Sequence, residues 1–220
     1  LLAFVRRGIG SSKYLTDKNF EVDQSNREVQ LRAFINLSFV GFLDDAVRAG
    51  TLTFLPFLLI GRGMSTEGVF GMLFLLLTGG AIGKFVCGWL DDRHGPIKLI
   101  WVTKGMTSVT LLMSIVVPDV AMAPLVVVLG IGLNGTSSAI YATVARFVPL
   151  EVRSRYYGYF YTAIQMGTIL APVLYGILAE IFTVNIAIMA MSLAAISILP
   201  ASLSLKKFLL IQDADVRIRL

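Results

Sequence analysis

The chain has 220 residues, 56% of them hydrophobic and 15% charged, with a formal net charge of +5 and a mean hydropathy of +0.78. A soluble domain is about 45–50% apolar; here the excess is gathered into runs long enough to cross a bilayer, about 20 residues each, and without the polar face of a soluble bundle helix. The single cysteine, Cys87, excludes an internal disulfide and points to no metal cluster, and the basic residues lie between the apolar runs, where topology explains them better than nucleic acid does.

The chain opens Leu1-Leu2-Ala3-Phe4-Val5-Arg6-Arg7, which reads as the end of an earlier apolar helix and a basic stop. The sequence is therefore expected to be a fragment. Residues 1–30 combine this helix end with a polar linker, with room for a short amphipathic helix. Residues 31–205 carry six apolar spans, at about 33–60, 68–90, 97–117, 121–147, 158–181 and 184–205. Residues 206–220 form a charged tail.

The basic residues are placed asymmetrically. Arg6, Arg7, Lys13, Lys18, Arg27 and Arg32 precede the first span. Arg93 and Lys98 follow the second, Arg146, Arg153 and Arg155 follow the fourth, and Lys206, Lys207, Arg217 and Arg219 follow the sixth. Only Arg62 falls on the other side. Positive charge stays cytoplasmic, so the linker, the tail and the turn after the second span are expected there. The count of spans must then be even. In a bacterium the membrane would be the inner one.

A short echo links the halves of the chain. Gly88-Trp89-Leu90-Asp91-Asp92 ends the second span and Gly176-Ile177-Leu178-Ala179-Glu180 ends the fifth. Both read Gly-x-Leu-x-acid, three spans apart, as an inverted three-plus-three repeat would leave them.

Three segments carry a family resemblance: the turn Gly88-Trp89-Leu90-Asp91-Asp92-Arg93-His94-Gly95-Pro96-Ile97-Lys98, the loop from Arg146 to Gly158, and the Gly- and Pro-bearing stretch from Gly167 to Gly176. The turn resembles the loop signature of the major facilitator superfamily of transporters. Pro96 and Ile97 separate Gly95 from Lys98, where the family pattern has its basic residue directly after the glycine, and Asp91 adds an acid. The resemblance implies an all-α membrane protein of twelve helices in two six-helix halves. The chain then matches the C-terminal half, an N-terminal half being the alternative, with the other six-helix half of the same protein as its partner. It also implies a cytoplasmic gate of Gly88, Asp92, Arg93, Gly95, Lys98, Glu151, Arg153 and Arg155, closed by Asp92 facing the positive end of a helix beginning near Gly158. The plainer reading is a positive-inside loop.

Within the first span, Asp44, Asp45 and Arg48 lie near the membrane midplane. Ionisable groups cost several kcal/mol there and face a cavity or a partner. Asp44 and Arg48, four apart, can pair on one helix face; Asp45 points about 100° away and is free to take a proton or a cationic group. A proton or substrate site and a structural ion-pair cluster both fit, and which carboxylate titrates stays open. Lys84 and Lys104 lie about 10 Å inside their helices, within snorkelling reach, and read as structural or gating groups. Asn134, among the small residues of the fourth span, and Gln165 are cavity candidates. Pro172 should kink the fifth span, and Tyr156, Tyr157, Tyr159, Phe160 and Tyr161 form an interfacial aromatic cluster.

These features point to a secondary active transporter that moves a small solute by alternating access with proton coupling, efflux being preferred to uptake. The alternative is a transporter-like sensor that binds without transport. No nucleophile–His pair, metal spacing or phosphate loop appears, so no enzyme, cofactor, metal or nucleic-acid partner is expected; the bilayer, a small-molecule substrate and the proton are.

Overall fold

A computed structural model describes the backbone of residues 2–147 and 153–219 and the side chains between residues 31 and 203, apart from Asp92, His94, Ser138, Ala139, Ala142 and residues 145–152. The described residues form six α-helices: α1 (Leu2–Gly61), α2 (Thr66–His94), α3 (Pro96–Val116), α4 (Met122–Phe147), α5 (Arg153–Ile181) and α6 (Val184–Arg219). A single 3-10 turn, Asp119–Ala121, joins α3 to α4. Each expected span falls on one helix. The ends differ: α1 continues back to Leu2 and α6 on to Arg219, and α5 begins at Arg153, five residues before Gly158.

Five of the helices, α2 to α6, contain stretches long and apolar enough to cross a membrane. The 21 residues of α3 measure about 32 Å at about 1.5 Å each, close to the hydrocarbon thickness of about 30 Å. The exception, α1, has Asp44, Asp45 and Arg48 in the middle of its apolar run. Local chemistry sets the helix ends. Ser65 caps α2 by accepting from the Gly68 N–H at 3.3 Å. Gly95 closes α2 and opens α3 at a φ of 79°, a left-handed value suited to glycine. Its N–H donates to the Asp91 carbonyl at 2.9 Å, and Pro96 follows at the first position of α3.

The main neighbours are α2 with α4, α1 with α5, α3 with α4, α1 with α6, and α3 with α6. Exchanging α1, α2 and α3 for α4, α5 and α6 maps these pairs onto one another, a symmetry of neighbours that any three-plus-three repeat would have. The two equivalent contacts use the same device. On α2, Gly79 lies against the Val127 carbonyl of α4, where any side chain would collide; on α5, Gly167 lies likewise against the Phe42 carbonyl of α1. Small residues let membrane helices approach this closely.

The described residues form two large apolar clusters, besides a small one at Cys87 and Leu99. One, toward the turn at Gly95, includes Leu37, Val40, Ile100, Ile140, Phe160, Ile164 and Ile198. The other, toward the opposite end, includes Val47, Leu55, Leu111, Leu133, Ala171 and Ala195. On α1, α3 and α4 a stretch of chain separates the residues of one cluster from those of the other. Asp44 and Asp45 of α1, Lys104 of α3 and Ser137 of α4 lie in those stretches. Outward, α2 and α5 expose Phe70, Phe74, Phe85, Ile169, Val173 and Ile177, side chains that suit lipid or further helices.

Candidate functional site

The charged layer between the two clusters is built from α1 and α3. Asp45 pairs with Arg48, one turn along α1. Asp44 reaches across to Lys104 of α3. These pairings differ from the expected Asp44–Arg48 pair with a free Asp45. The two adjacent carboxylates diverge by about 100° around the helix, and the helix packed opposite decides which cation each meets. Asp44 and Asp45 are 3% and 4% exposed and Lys104 is 0% exposed. Lys104 therefore points into the bundle and does not snorkel. Its Nζ also donates to the Gly132 carbonyl of α4 at 3.4 Å. Two acids and two bases leave the layer formally neutral, which limits the penalty of placing charge in a low dielectric.

Hydroxyl groups complete the layer. Thr103 and Thr136 meet at 3.4 Å, and Ser108 and Ser192 at 2.7 Å. Thus α3 is tied to α1, α4 and α6 near one depth. A cavity of about 10 Å³ opens between α1, α4 and α5, lined by Gly41, Asp44, Asp45, Ser137, Tyr141 and Ile164. That volume accommodates about one water. An organic solute fits only when the helices separate.

The expected gate residues are placed unevenly. Gly95 forms the tight reversal. Gly88 has open space around it, so it does not serve a close helix contact in this conformation. Arg93 is exposed, and its guanidinium lies 4.0 Å from the centre of the Trp89 ring, a cation–π contact within α2. Lys98 and Arg155 are exposed and Arg153 is partly buried. Gly158 sits inside α5, so the helix start proposed to face Asp92 lies at Arg153. The Asp92 side chain and Glu151 fall outside the described residues.

The two cavity candidates lie elsewhere. Asn134 is half-buried, and its amide packs on Gly80 of α2 and donates to the Gly130 carbonyl at 3.4 Å. Gln165 is exposed on α5, as is Lys84 on α2. Sequence reasoning gave no site role to Ser137 or Tyr141, which no charge marks, and assigned Lys104 by depth alone. A mid-span lysine opposite a mid-span aspartate was the available signal.

At the opposite end, Arg62 follows α1 and caps α3. Its Nη1 donates to the Val117 carbonyl at 2.6 Å, and its Nη2 to those of Ser114, at 2.7 Å, and Ile115. These carbonyls lack intrahelical partners at a helix end. Beside it, a groove of about 400 Å³ is bordered by Phe57, Ile115, Thr183 and Asn185.

A bundle of apolar helices around a charged layer can be compared with known proteins. A gentisate transporter of Corynebacterium glutamicum is 32% identical over 130 residues, covering 59% of this chain and 29% of the relative. A 3-(3-hydroxy-phenyl)propionate transporter of Escherichia coli is 27% identical over 142 residues, covering 64% and 35%. The chain thus spans about a third of the length of these curated relatives. The fold matches the proton:xylose symporter XylE, solved with bound 6-bromo-6-deoxy-D-glucose, with a TM-score of 0.60 at 17% identity over 83% of this chain and 45% of that one. The profile of the Major Facilitator Superfamily matches residues 37–210. This chain, an integral multi-pass membrane protein, belongs to the major facilitator superfamily.

Proposed function

We propose that the chain is part of a secondary transporter that carries a small aromatic carboxylate across the membrane by alternating access, together with a proton. The observation that carries this reading is the Asp45–Arg48 pair, set at the small cavity between the two apolar clusters. The names of the two relatives supply the substrate class, since both denote aromatic acids.

The coupling follows from charge. With the site empty, Asp45 neutralises Arg48. When Asp45 takes a proton, Arg48 loses its partner and a substrate carboxylate replaces it. The empty site and the site holding both proton and anion are each neutral. A site holding only one of them carries net charge through the low-dielectric interior, which is costly. Proton and anion therefore travel in the same direction, and an inward proton gradient drives uptake. Efflux was preferred for an apolar cavity; the cavity here is bounded by charge, which favours co-transport.

Further elements of the reading concern the whole protein. The coverage of 45% of the solved symporter supports a six-helix half facing a second half across the substrate path. The charge asymmetry supports a cytoplasmic turn at Gly95, with Arg93, Lys98, Arg153 and Arg155 on that side as elements of a gate.

The test is flux by the full-length protein in proteoliposomes. An imposed inside-alkaline gradient should drive accumulation of gentisate or benzoate, and a proton ionophore should abolish it. Saturable binding with no flux would overturn the transporter reading in favour of a sensor.

A further inference from the structure

We infer that Tyr141 is the residue that reads the aromatic ring of the substrate; this rests on the aromatic-carboxylate reading above. Tyr141 of α4 borders the same cavity as Asp45, whose carboxylate pairs with Arg48. A carboxylate that replaced Asp45 at Arg48 would bring its ring to this wall.

The ring of Tyr141 is held from behind. It stacks on Tyr161 of α5 at 5.6 Å between centroids and 29° between planes, and it meets the fully buried Phe160 edge-on at 5.8 Å. Tyr161 in turn stacks on Tyr157 at 6.2 Å and 30°. The Tyr157 hydroxyl then donates to the Tyr141 carbonyl at 3.1 Å, so α5 holds both the ring and the backbone of Tyr141. Tyr157 and Tyr161 belong to the cluster expected to anchor α5 at the interface. Tyr141 extends that ladder onto another helix and into the charged layer, where interfacial anchoring does not apply. Ser137, one turn before it on α4, lines the same wall.

A rigid aromatic wall beside a cation selects ligands that are both anionic and flat. Offset or edge-to-face ring contacts are directional, so the wall distinguishes an aromatic acid from an aliphatic acid of equal charge and similar size. Arg48 serves both; Tyr141 serves only the first.

The experiment compares benzoate with cyclohexanecarboxylate in transport by the full-length protein in proteoliposomes. Tyr141→Leu should raise KM for benzoate by about 2- to 12-fold, the range of aromatic pair energies, and leave the cyclohexane acid nearly unchanged. Tyr141→Phe should behave as wild type toward both, and it serves as the readout if Tyr141→Leu does not fold, because a role for the hydroxyl instead of the ring would then appear as a loss. Equal effects on the two acids, or loss in the Phe variant, would overturn the role of Tyr141 and leave the carboxylate reading standing. A wild-type protein that moves neither acid would remove that reading and this inference with it.

Discussion

Lys104 of α3 and Asp44 of α1 form an ion pair in the middle of the bundle, with both side chains shielded from solvent. The pair joins two helices separated by the whole of α2, and the second bond of Lys104, to Gly132, adds α4. The adjacent pair, Asp45–Arg48, stays within α1. One carboxylate thus fastens helices, while its neighbour is left to a cation at the cavity.

Removing one partner of the buried pair leaves an uncompensated charge. Lys104→Met should destabilise the full-length protein by about 3–5 kcal/mol. Adding Asp44→Leu should restore most of that loss, because a well-packed apolar replacement of a buried pair is often neutral. Thermal unfolding of the purified variants in detergent reads both. A double variant no more stable than Lys104→Met would show that the two side chains do not act as a pair.

The α2–α4 contact makes a sharper steric prediction. A methyl at Gly130 would collide with the Leu76 carbonyl, whereas one at Gly88 meets nothing within 4 Å. Gly130→Ala should cost about 1–3 kcal/mol, and Gly88→Ala should be tolerated. Yield of monodisperse protein and its melting temperature distinguish them. Equal tolerance would contradict the close packing at Leu76.

Capping by Arg62 is equally accessible. Arg62→Ala leaves carbonyls at the end of α3 without their charged donor and should cost about 1–3 kcal/mol. Arg62→Lys should recover only part, since an ammonium lacks the planar fork that reaches several carbonyls at once. Full recovery by lysine in the same unfolding assay would reduce the role of Arg62 to charge alone.

The positions of the helices were legible in the sequence because lipid imposes length and hydropathy on each span. The pairing of charges was not. Spacing along α1 shows that Asp44 and Arg48 share a face, but not that Lys104 will stand opposite Asp44; that depends on how α3 packs. For the same reason Asn134, polar and mid-span, looked like a cavity residue, although packing turns it onto Gly80. Tyr141 carries no signal of its own until α5 brings Tyr161 and Phe160 against it. Gly95 was legible, since a turn between two helices without a linker requires a backbone that few residues adopt.

The proton-carrying role proposed for Asp45 is tested by Asp45→Asn in the full-length protein, reconstituted in proteoliposomes and assayed in two modes with the same aromatic acid. Net accumulation driven by a pH gradient should fall to background, because the amide cannot release and rebind a proton. Exchange of labelled for unlabelled acid, which needs no net proton movement, should persist with Arg48 held free of a carboxylate partner. Accumulation that keeps its wild-type dependence on the pH gradient would contradict the coupling of proton and substrate at Asp45 and Arg48.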